Sequence, residues 1–372
     1  MGRYRHAPAA VISLVLVVGL VAGACMPAAA VTPSPPPLSA VPTPAPTPSP
    51  SPTPVPTPTP VPTPTPLSPE SVLTGLPVDP LLAHRTPIAV MIDDARAARP
   101  QSGFNGASVV FQSPADGYET RYLMIYGEGD SPQVGPVRSA RFFLVQWSIE
   151  TASIIGHYGG DRKSRRFIRY ESELLTDVDA LGKGAKAFHR IKSRRAPHNG
   201  YTSTKALRKR GAKLGAPALM SPEIRGRAFT DPSPLEARAA KQSIRVPYNT
   251  NVITWTYDRA NNRYLRSVDG RAQVDPADGK RVTATNVVVL FQKFRIDTKI
   301  EPGHARPVLK TTGTGVAWIY REGRVVKATW SKERDVAPTL LLDAEGKEIP
   351  LIRGRTFFQV VPIGTKVSHK SK

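Results

Sequence analysis

A proline-rich segment between Thr32 and Pro69 divides the chain into two parts of different character. The segment contains 18 of the 39 prolines in the sequence and no charged residue. Proline lacks the backbone N–H that helices and sheets use, and a segment of this composition cannot bury a core. Extended as polyproline II at roughly 3.1 Å per residue, it would reach on the order of 110 Å. We therefore predict that residues 25–69 are a spacer that separates a membrane-proximal start from a folded body beginning near Glu70.

The residues before this spacer have the pattern of an export signal. Two arginines among the first five residues precede the apolar run Val11–Leu20, which is short for a membrane span and ends in small residues. Val21–Cys25 then matches a bacterial lipobox, and Cys25 is the single cysteine of the chain. We predict a signal peptide at residues 1–24 and lipid on Cys25, which would hold the protein on the outer face of the cytoplasmic membrane. Ordinary signal-peptidase cleavage, which would give a secreted protein, is the alternative.

The folded part of the chain is strongly basic. The sequence has 51 Lys and Arg against 29 Asp and Glu, a formal net charge of +22, and only Arg3 and Arg5 carry charge before Glu70. On charge alone, nucleic acid, anionic lipid and anionic wall polymers are all candidate partners. The export signal makes nucleic acid an unlikely partner. A single cysteine excludes an internal disulfide framework and cysteine-based zinc sites.

The first half of the body, residues 70–230, is predicted to be a mixed sheet with helical cover. Ser203 is a suitable N-cap for a basic helix over Thr204–Lys213. Apolar runs predict four strands, and strands that alternate with helices indicate an α/β arrangement. These predicted strands lie at Pro87–Asp94, Ala107–Gln112, Thr120–Tyr126 and Ser153–Gly160.

The stretch Gly135–Arg141 is predicted to lead into a helix that begins at Arg138. The apolar residues that follow it have helical spacing, so Arg138 and Arg141 would lie three apart in the first turn. A helix N-terminus carries partial positive charge and prefers an anion. Two arginines at this position therefore need a carboxylate of the protein or an external anionic ligand.

The second half, residues 231–362, is predicted to be mostly antiparallel β-sheet, followed by a basic tail at residues 363–372. Alternating apolar residues predict a hairpin from Asn251–Tyr257 and Arg263–Val268. This half contains no nucleophile or metal motif, which indicates a structural or partner-binding role. The predicted fold class is therefore α+β, a layered arrangement of sheets and helices.

Several short motifs of the folded body together suggest a family. They are Val90–Asp93, Arg99–Gly103, Thr120–Arg121, Gly135–Arg141, His157 with Gly159, Ala196–Ser203, Asn286–Val289, Trp330 and Phe357–Pro362. These motifs resemble the YerB-like bacterial lipoprotein family, a domain of unknown function in two halves. The resemblance implies a membrane-anchored lipoprotein with an α+β fold, and it implies no activity because the family has none assigned. Two positions depart from the family pattern: Asp94 stands where Asn is expected, and Gln112 where Glu is expected. The second departure removes an acid from the candidate site.

Polar residues at strand ends and in loops of the first half form the candidate site. Three interpretations are open. The arginines pair with Asp93 or Glu119 and are structural; they bind an external anion; or the histidines and Asp93 perform hydrolysis. The predicted ligand-binding residues are Arg121, Arg138, Ser139, Arg141 and Asn199, and the candidate catalytic residues are His157, His198 and Asp93.

Two functions follow from these interpretations. The first is a non-enzymatic envelope lipoprotein that binds an anionic cell-wall polymer, a lipid head group or an envelope protein. The second is a hydrolase of an envelope substrate. The histidines and acids lack the local spacing of a metal site, so we predict neither a metal nor a cofactor.

Overall fold

Strands outnumber helices in both halves of the folded body. The structure, a computed structural model, describes residues 69–151, 153–221, 224–301 and 303–371. The predicted signal peptide, Cys25 and all of the spacer except Pro69 lie outside the described residues. The elements of the first half are α1 (Pro80–Ala83), β1 (Ile88–Asp93), β2 (Val109–Pro114), β3 (Thr120–Tyr126), α2 (Phe142–Ser148), β4 (Ile154–His157), α3 (Arg162–Tyr170), β5 (Thr176–Asp179), β6 (His189–Arg190), β7 (Gly200–Tyr201), α4 (Thr204–Lys213) and β8 (Phe229–Thr230).

The second half adds strands and no α-helix within the described residues. Its strands are β9 (Gln242–Pro247), β10 (Val252–Asp258), β11 (Arg263–Val268), β12 (Arg271–Ala272), β13 (Val274–Asp275), β14 (Lys280–Arg281), β15 (Thr283–Ala284), β16 (Asn286–Gln292), β17 (Phe294–Glu301), β18 (His304–Leu309), β19 (Gly313–Arg321), β20 (Arg324–Lys332), β21 (Leu340–Leu342), β22 (Leu351–Ile352), β23 (Thr356–Pro362) and β24 (Ser368–Ser371).

One ten-stranded sheet takes strands from both halves of the chain. Its order is β21-β20-β19-β16-β23-β2-β3-β1-β4-β5. Strand β1 pairs antiparallel with β3 and parallel with β4, so the part of the sheet formed by the first half is mixed. Strands β19, β20 and β21 pair antiparallel with one another. The late strand β23 lies between β16 and β2 and is parallel to both. The predicted α+β class is confirmed, and the two halves share one sheet.

The two faces of this sheet are covered differently. A second sheet, with the order β12-β11-β10-β9-β24, packs on one face, where Trp255 and Tyr264 join the core formed by Val90 and Phe357. Helices α2 and α3 cover the other face through residues such as Trp147 and Ile168. Apolar burial from both sides is the main driving force for this layered arrangement. The C-terminal residues predicted as a basic tail include β24, which pairs with β9 at the edge of the second sheet.

Two local predictions for helices had different outcomes. Helix α4 begins after Ser203, whose hydroxyl accepts a hydrogen bond from the Ala206 N–H at 3.2 Å, as predicted. The prediction that a helix begins at Arg138 is wrong, because α2 begins at Phe142 and Arg141 is its N-cap residue. Arg138 is held outside the helix by backbone hydrogen bonds, its N–H to the Met91 carbonyl at 2.8 Å and its carbonyl from the Tyr158 N–H at 3.0 Å.

Among the described residues, no helix has both the length and the apolar character that crossing a membrane would require.

Candidate functional site

The segment 134–140 positions most of the candidate site. It crosses the carboxyl ends of β1 and β4, where the Asp93 N–H donates to the Pro136 carbonyl at 2.9 Å and the Ala140 N–H donates to the Gly159 carbonyl at 2.9 Å. Gly135 is required in this segment because its φ is +154° and a Cβ there would lie 2.6 Å from the Tyr201 ring. The carboxyl ends of parallel strands are a common location for ligand sites in open α/β sheets.

A buried carboxylate, Asp93, connects two of the predicted site residues, and we call Asp93, Arg138 and His198 the Asp93 cluster. Oδ2 of Asp93 lies 2.7 Å from His198 Nδ1 and 3.1 Å from Arg138 Nε. Oδ1 accepts the Ala95 N–H at 3.1 Å. Asp93 is almost fully buried, while the side chains of His198 and Arg138 are 23% and 27% exposed. The cluster therefore has a buried acid and an accessible imidazole and guanidinium.

Glu119 is a neighbour of the Asp93 cluster that the sequence analysis considered only as an arginine partner. It precedes β3, in which Arg121 lies opposite Asp93. Burial and then the Asp93 carboxylate raise the pKa of Glu119 above its usual range, although His198 and Arg138 act in the opposite direction. A carboxyl group with a raised pKa keeps its proton to higher pH than an ordinary glutamic acid.

A second carboxylate, Asp116, gathers three arginines, and we call Asp116, Arg121, Arg141 and Arg306 the Asp116 cluster. Asp116 Oδ2 accepts Nε of Arg141 at 2.6 Å and also its Nη2, and lies 3.5 Å from Arg121 Nη2. Arg306 donates to Oδ1 at 3.2 Å. Burial by itself would raise the pKa of Asp116, but the three guanidinium groups together hold it below its usual range. One negative charge therefore faces three positive charges.

Arg121 lies between the two clusters. Its Nη1 donates to the Ser139 carbonyl at 2.9 Å, so Ser139 takes part in the site through its backbone. Burial lowers the pKa of Arg121 to about 9, and repulsion from Arg141 adds to the decrease. Burial is the larger cause of this decrease in pKa, and the Asp116 carboxylate opposes it.

The Asp116 cluster borders a groove with a cavity volume of about 490 Å³, which we call the Arg141 groove. Four cations line it: Arg141, Lys163, Arg306 and Lys310. Lys163 lies 3.7 Å from the centre of the Phe142 ring. The two acids in the lining, Asp161 and Asp335, already accept hydrogen bonds from Ser164 and Gln146. Because four cations face two acids in the lining, the groove is basic.

Two predicted site residues have other partners. The His157 ring is buried, with Nδ1 2.7 Å from the Gly159 carbonyl and Nε2 2.9 Å from Asp177 Oδ1. Asn199 accepts from Arg190 at 2.5 Å and donates to the Ile191 carbonyl at 3.2 Å. Of the three candidate catalytic residues, Asp93 and His198 are in direct contact with each other. His157 is not part of that contact, and its hydrogen bonds fix the ends of β4 and β5.

Two models of known families match the chain. The model described as "Protein of unknown function (DUF3048) N-terminal domain" matches residues 73–217, and the model of the DUF3048 C-terminal domain matches residues 244–358. Together these matches cover more than half of the sequence. The chain belongs to the DUF3048 family.

A curated relative and a solved structure agree with this assignment. The DUF3048 chain is 30% identical over 297 residues to the Bacillus subtilis (strain 168) protein named "Putative lipoprotein YerB", covering 78% of this chain and 85% of that protein. The crystal structure of YerB from Bacillus subtilis matches with a TM-score of 0.71 at 27% identity, covering 81% of this chain and 99% of that one. The resemblance identified from the motifs is confirmed.

Asp94 and Gln112, the two positions where Asn and Glu were expected, lie side by side in the core of this protein. Asp94 is buried and accepts from Arg99 at 3.0 Å, Gln101 at 2.8 Å and Asn251 at 3.2 Å. The Gln112 amide donates to Asp94 Oδ2 at 3.1 Å, and its carbonyl accepts from the buried Arg266 at 2.6 Å. A glutamate at 112 would have no donor for Asp94 and would place a second carboxylate beside it. Gln112 therefore belongs to this internal network.

The sequence alone did not point to Asp116, and it indicated Glu119 only as a partner of the arginines. Both flank the turn before β3, and Asp116-Gly117 there has the pattern of an ordinary surface turn. An available signal was the excess of arginine nearby, since buried guanidinium groups require a carboxylate. Among the described residues of this DUF3048 protein, no group of three or more His, Cys, Asp or Glu could hold a metal ion.

Proposed function

We propose that this DUF3048 protein is a lipid-anchored envelope protein that binds an anionic envelope component in the Arg141 groove. The anchor is the predicted lipid on Cys25, and the name of the Bacillus relative as a lipoprotein supports it. The observation that carries the binding proposal is the convergence of three guanidinium groups on one carboxylate, Asp116. Two of these arginines, Arg141 and Arg306, line a groove that also contains Lys163 and Lys310.

The chemistry of the groove fits phosphate or carboxylate groups. Arginine offers several N–H donors in a planar fork, which matches two oxygens of one anionic group. Lys310 is exposed and has no acidic partner among the described residues, so its charge is available to a ligand. Phe142 and Phe143 add apolar surface to the lining. A repeating anionic polymer with phosphodiester groups would place its phosphates against these cations and its carbon chain against the two phenylalanine rings.

Binding to a soluble phosphodiester polymer tests this proposal. We expect poly(glycerol phosphate) to bind the purified mature chain, and the affinity to fall as salt rises. Lys310→Gln removes one exposed charge and should weaken binding by about three- to fivefold. Arg141→Lys keeps the charge but loses the fork, and should also weaken binding. Lys347→Gln, an exposed cation outside the groove, is the matched control.

The proposal fails if binding does not depend on salt. It also fails if Lys310→Gln and Lys347→Gln bind the polymer with the same affinity. Circular dichroism of each variant separates loss of binding from loss of folding, since both lysine side chains are exposed and their substitution leaves the core intact.

The contact between His198 and Asp93 favours a second candidate, hydrolysis of an envelope substrate. Hydrogen bonding of Nδ1 to a buried carboxylate orients an imidazole so that Nε2 can accept a proton from water. Among the described residues, Nε2 of His198 has no hydrogen-bond partner. Glu119, with its raised pKa, could protonate a leaving group, and Arg138 could stabilise developing negative charge.

Chromogenic carboxylic esters and phosphodiesters test this candidate. If the protein is a hydrolase, His198→Asn should reduce turnover by about 10²- to 10⁴-fold. His157→Asn is the informative comparison, because His157 has other partners and its substitution should act through stability. Turnover that is the same in His198→Asn and the unmodified chain would reject catalysis and leave the binding proposal standing.

A further inference from the structure

The edge of the ten-stranded sheet at β5 concentrates positive charge. Between residues 162 and 213 the sequence has 16 Lys and Arg against 4 Asp and Glu. Helix α3 lies on one face of the sheet through Ile168, and α4 lies on the other through Leu207. The two basic helices therefore flank the same edge, and we call α3, α4 and residues 180–195 the basic edge.

Four arginines of α3 have charges that are available to a partner. Arg162, Arg165, Arg166 and Arg169 are exposed, and none of them forms an ion pair with another described residue. Lys205, Lys209 and Lys213 on α4 are exposed in the same way. Clustered cations without acids repel one another, which costs stability in the absence of an anionic partner.

Two large apolar side chains protrude from this charged region. Tyr170, at the end of α3, is 82% exposed, and Leu181, in the turn after β5, is 72% exposed. Exposed apolar residues are common when isolated, but these two precede and follow β5 within the segment that has 16 Lys and Arg against 4 Asp and Glu. This combination is typical of surfaces that rest on a bilayer, where cations contact phosphates and apolar groups enter the interface.

The opposite edge of the same sheet provides an internal comparison. Residues 324–348, which contain β20 and β21, have 5 Lys and Arg and 5 Asp and Glu. The positive charge of the protein is therefore asymmetric along the sheet. A general need for solubility would not place the excess at one edge.

We infer that the basic edge docks on an anionic lipid bilayer, with the arginines of α3 against the phosphates and Tyr170 and Leu181 in the interfacial layer. The protruding apolar residues favour a bilayer over a wall polymer, which has no apolar phase to receive them. A lipid on Cys25 would keep the local concentration of membrane high, so that weak docking is sufficient. The spacer limits how far the folded body can lie from the membrane, and it does not prevent close approach. The basic edge adjoins the Arg141 groove at Lys163, but the docking residues Arg165, Arg166, Arg169, Tyr170 and Leu181 do not line that groove.

Vesicle binding by the chain that starts at residue 26 tests the inference without the lipid anchor. All residues of both hydrophobic cores lie within that chain. We expect it to sediment with phosphatidylcholine vesicles that contain about one third phosphatidylglycerol, and not with pure phosphatidylcholine. The triple substitution Arg165→Gln, Arg166→Gln and Arg169→Gln should weaken binding on the order of 100-fold, since each cation near the surface contributes about fivefold.

A matched triple substitution on the opposite edge controls for total charge. Lys327→Gln, Arg334→Gln and Lys347→Gln remove the same charge from exposed positions and should weaken vesicle binding less than about fivefold. The melting temperature of each variant reports whether it is folded. Equal losses for the two triple variants would mean that net charge alone drives binding, and would overturn the inference.

Insertion of the apolar residues has its own measurement. Tyr170→Trp should show quenching of fluorescence by brominated lipids, beyond that of the four native tryptophans. The double substitution Tyr170→Ser and Leu181→Ser should weaken vesicle binding by about tenfold and leave binding of poly(glycerol phosphate) unchanged. Absence of quenching in vesicle-bound protein would contradict a bilayer as the partner. Tighter binding of poly(glycerol phosphate) than of vesicles through the α3 arginines would contradict it as well. Lys310→Gln should not change vesicle binding, so this inference and the proposed function can fail separately.

Discussion

Removal of the Asp116 carboxylate should destabilise the fold and strengthen anion binding at the same time. Asp116→Asn leaves three guanidinium groups without their shared counter-charge. Removing one partner of a buried ion pair costs about 3–5 kcal/mol. The Asp116 side chain is 24% exposed, and Arg121 and Arg141 keep their hydrogen bonds to backbone carbonyls. We therefore expect a loss of about 2–3 kcal/mol in the free energy of unfolding.

Thermal unfolding across a range of pH and anion concentration measures this effect. For a folded body of this length, the loss corresponds to a melting temperature lower by about 3–5 °C. The pKa of Asp116 is lower in the folded state than in the unfolded state. Its contribution to the free energy of unfolding is therefore present above the unfolded-state pKa of 3.8 and is lost as the pH falls through the folded-state pKa. The difference between Asp116→Asn and the unmodified chain should therefore narrow below pH 3.8.

The dependence of the melting temperature on anion concentration distinguishes a binding site from a purely structural cluster. Inorganic phosphate should raise the melting temperature of Asp116→Asn more than that of the unmodified chain, because the anion replaces the missing carboxylate. Asp130→Asn is the control, since Asp130 pairs with Arg85 and Arg208 and is 52% exposed. An Asp116→Asn variant with unchanged stability, or with no greater response to phosphate, would refute the reasoning.

Two further substitutions test the framework around the site. Gly135→Ala should destabilise the protein by about 2–4 kcal/mol in denaturant titrations, because the new Cβ would meet the Tyr201 ring at 2.6 Å. Gly182→Ala, whose Cβ would have nothing closer than 3.8 Å, should be nearly neutral; equal effects would contradict the packing argument. Asp94→Ala should cost about 3–5 kcal/mol in the same assay because it leaves buried donors without an acceptor, and a loss below about 1 kcal/mol would show that water replaces the carboxylate.

The local features of this fold were predictable because their signals are local. Ser203 followed by a basic helical run specifies the start of α4, and capping depends on residues within one turn. The position of Asp93 at the end of a buried strand was also predictable, because an apolar run precedes it in the sequence. The alternation of Ile253, Trp255 and Tyr257 likewise indicated a strand with one buried face, and all three side chains are buried.

The non-local features could not be predicted from spacing. Arg138 has helical spacing to Arg141, but its backbone N–H donates to the Met91 carbonyl and its carbonyl accepts from the Tyr158 N–H, which holds it outside the helix. The role of Asp116 depends on Arg306, which is 190 residues away in the sequence. Such contacts arise from the closure of the sheet, and a pattern read along the chain does not contain them.

The position of β23 has a consequence for how the protein is made. A ribosome delivers β2 long before β23, yet β23 pairs with β2 on one side and with β16 on the other. Until Pro362 has emerged, β2 is paired only with β3 and β16 only with β19, and each has an unpaired edge that is prone to association with other chains. The first half cannot reach its final state during synthesis, so a chain that stops short of residue 356 should be a target for proteolysis. Folding of the two halves is therefore a single event that waits for the end of the chain.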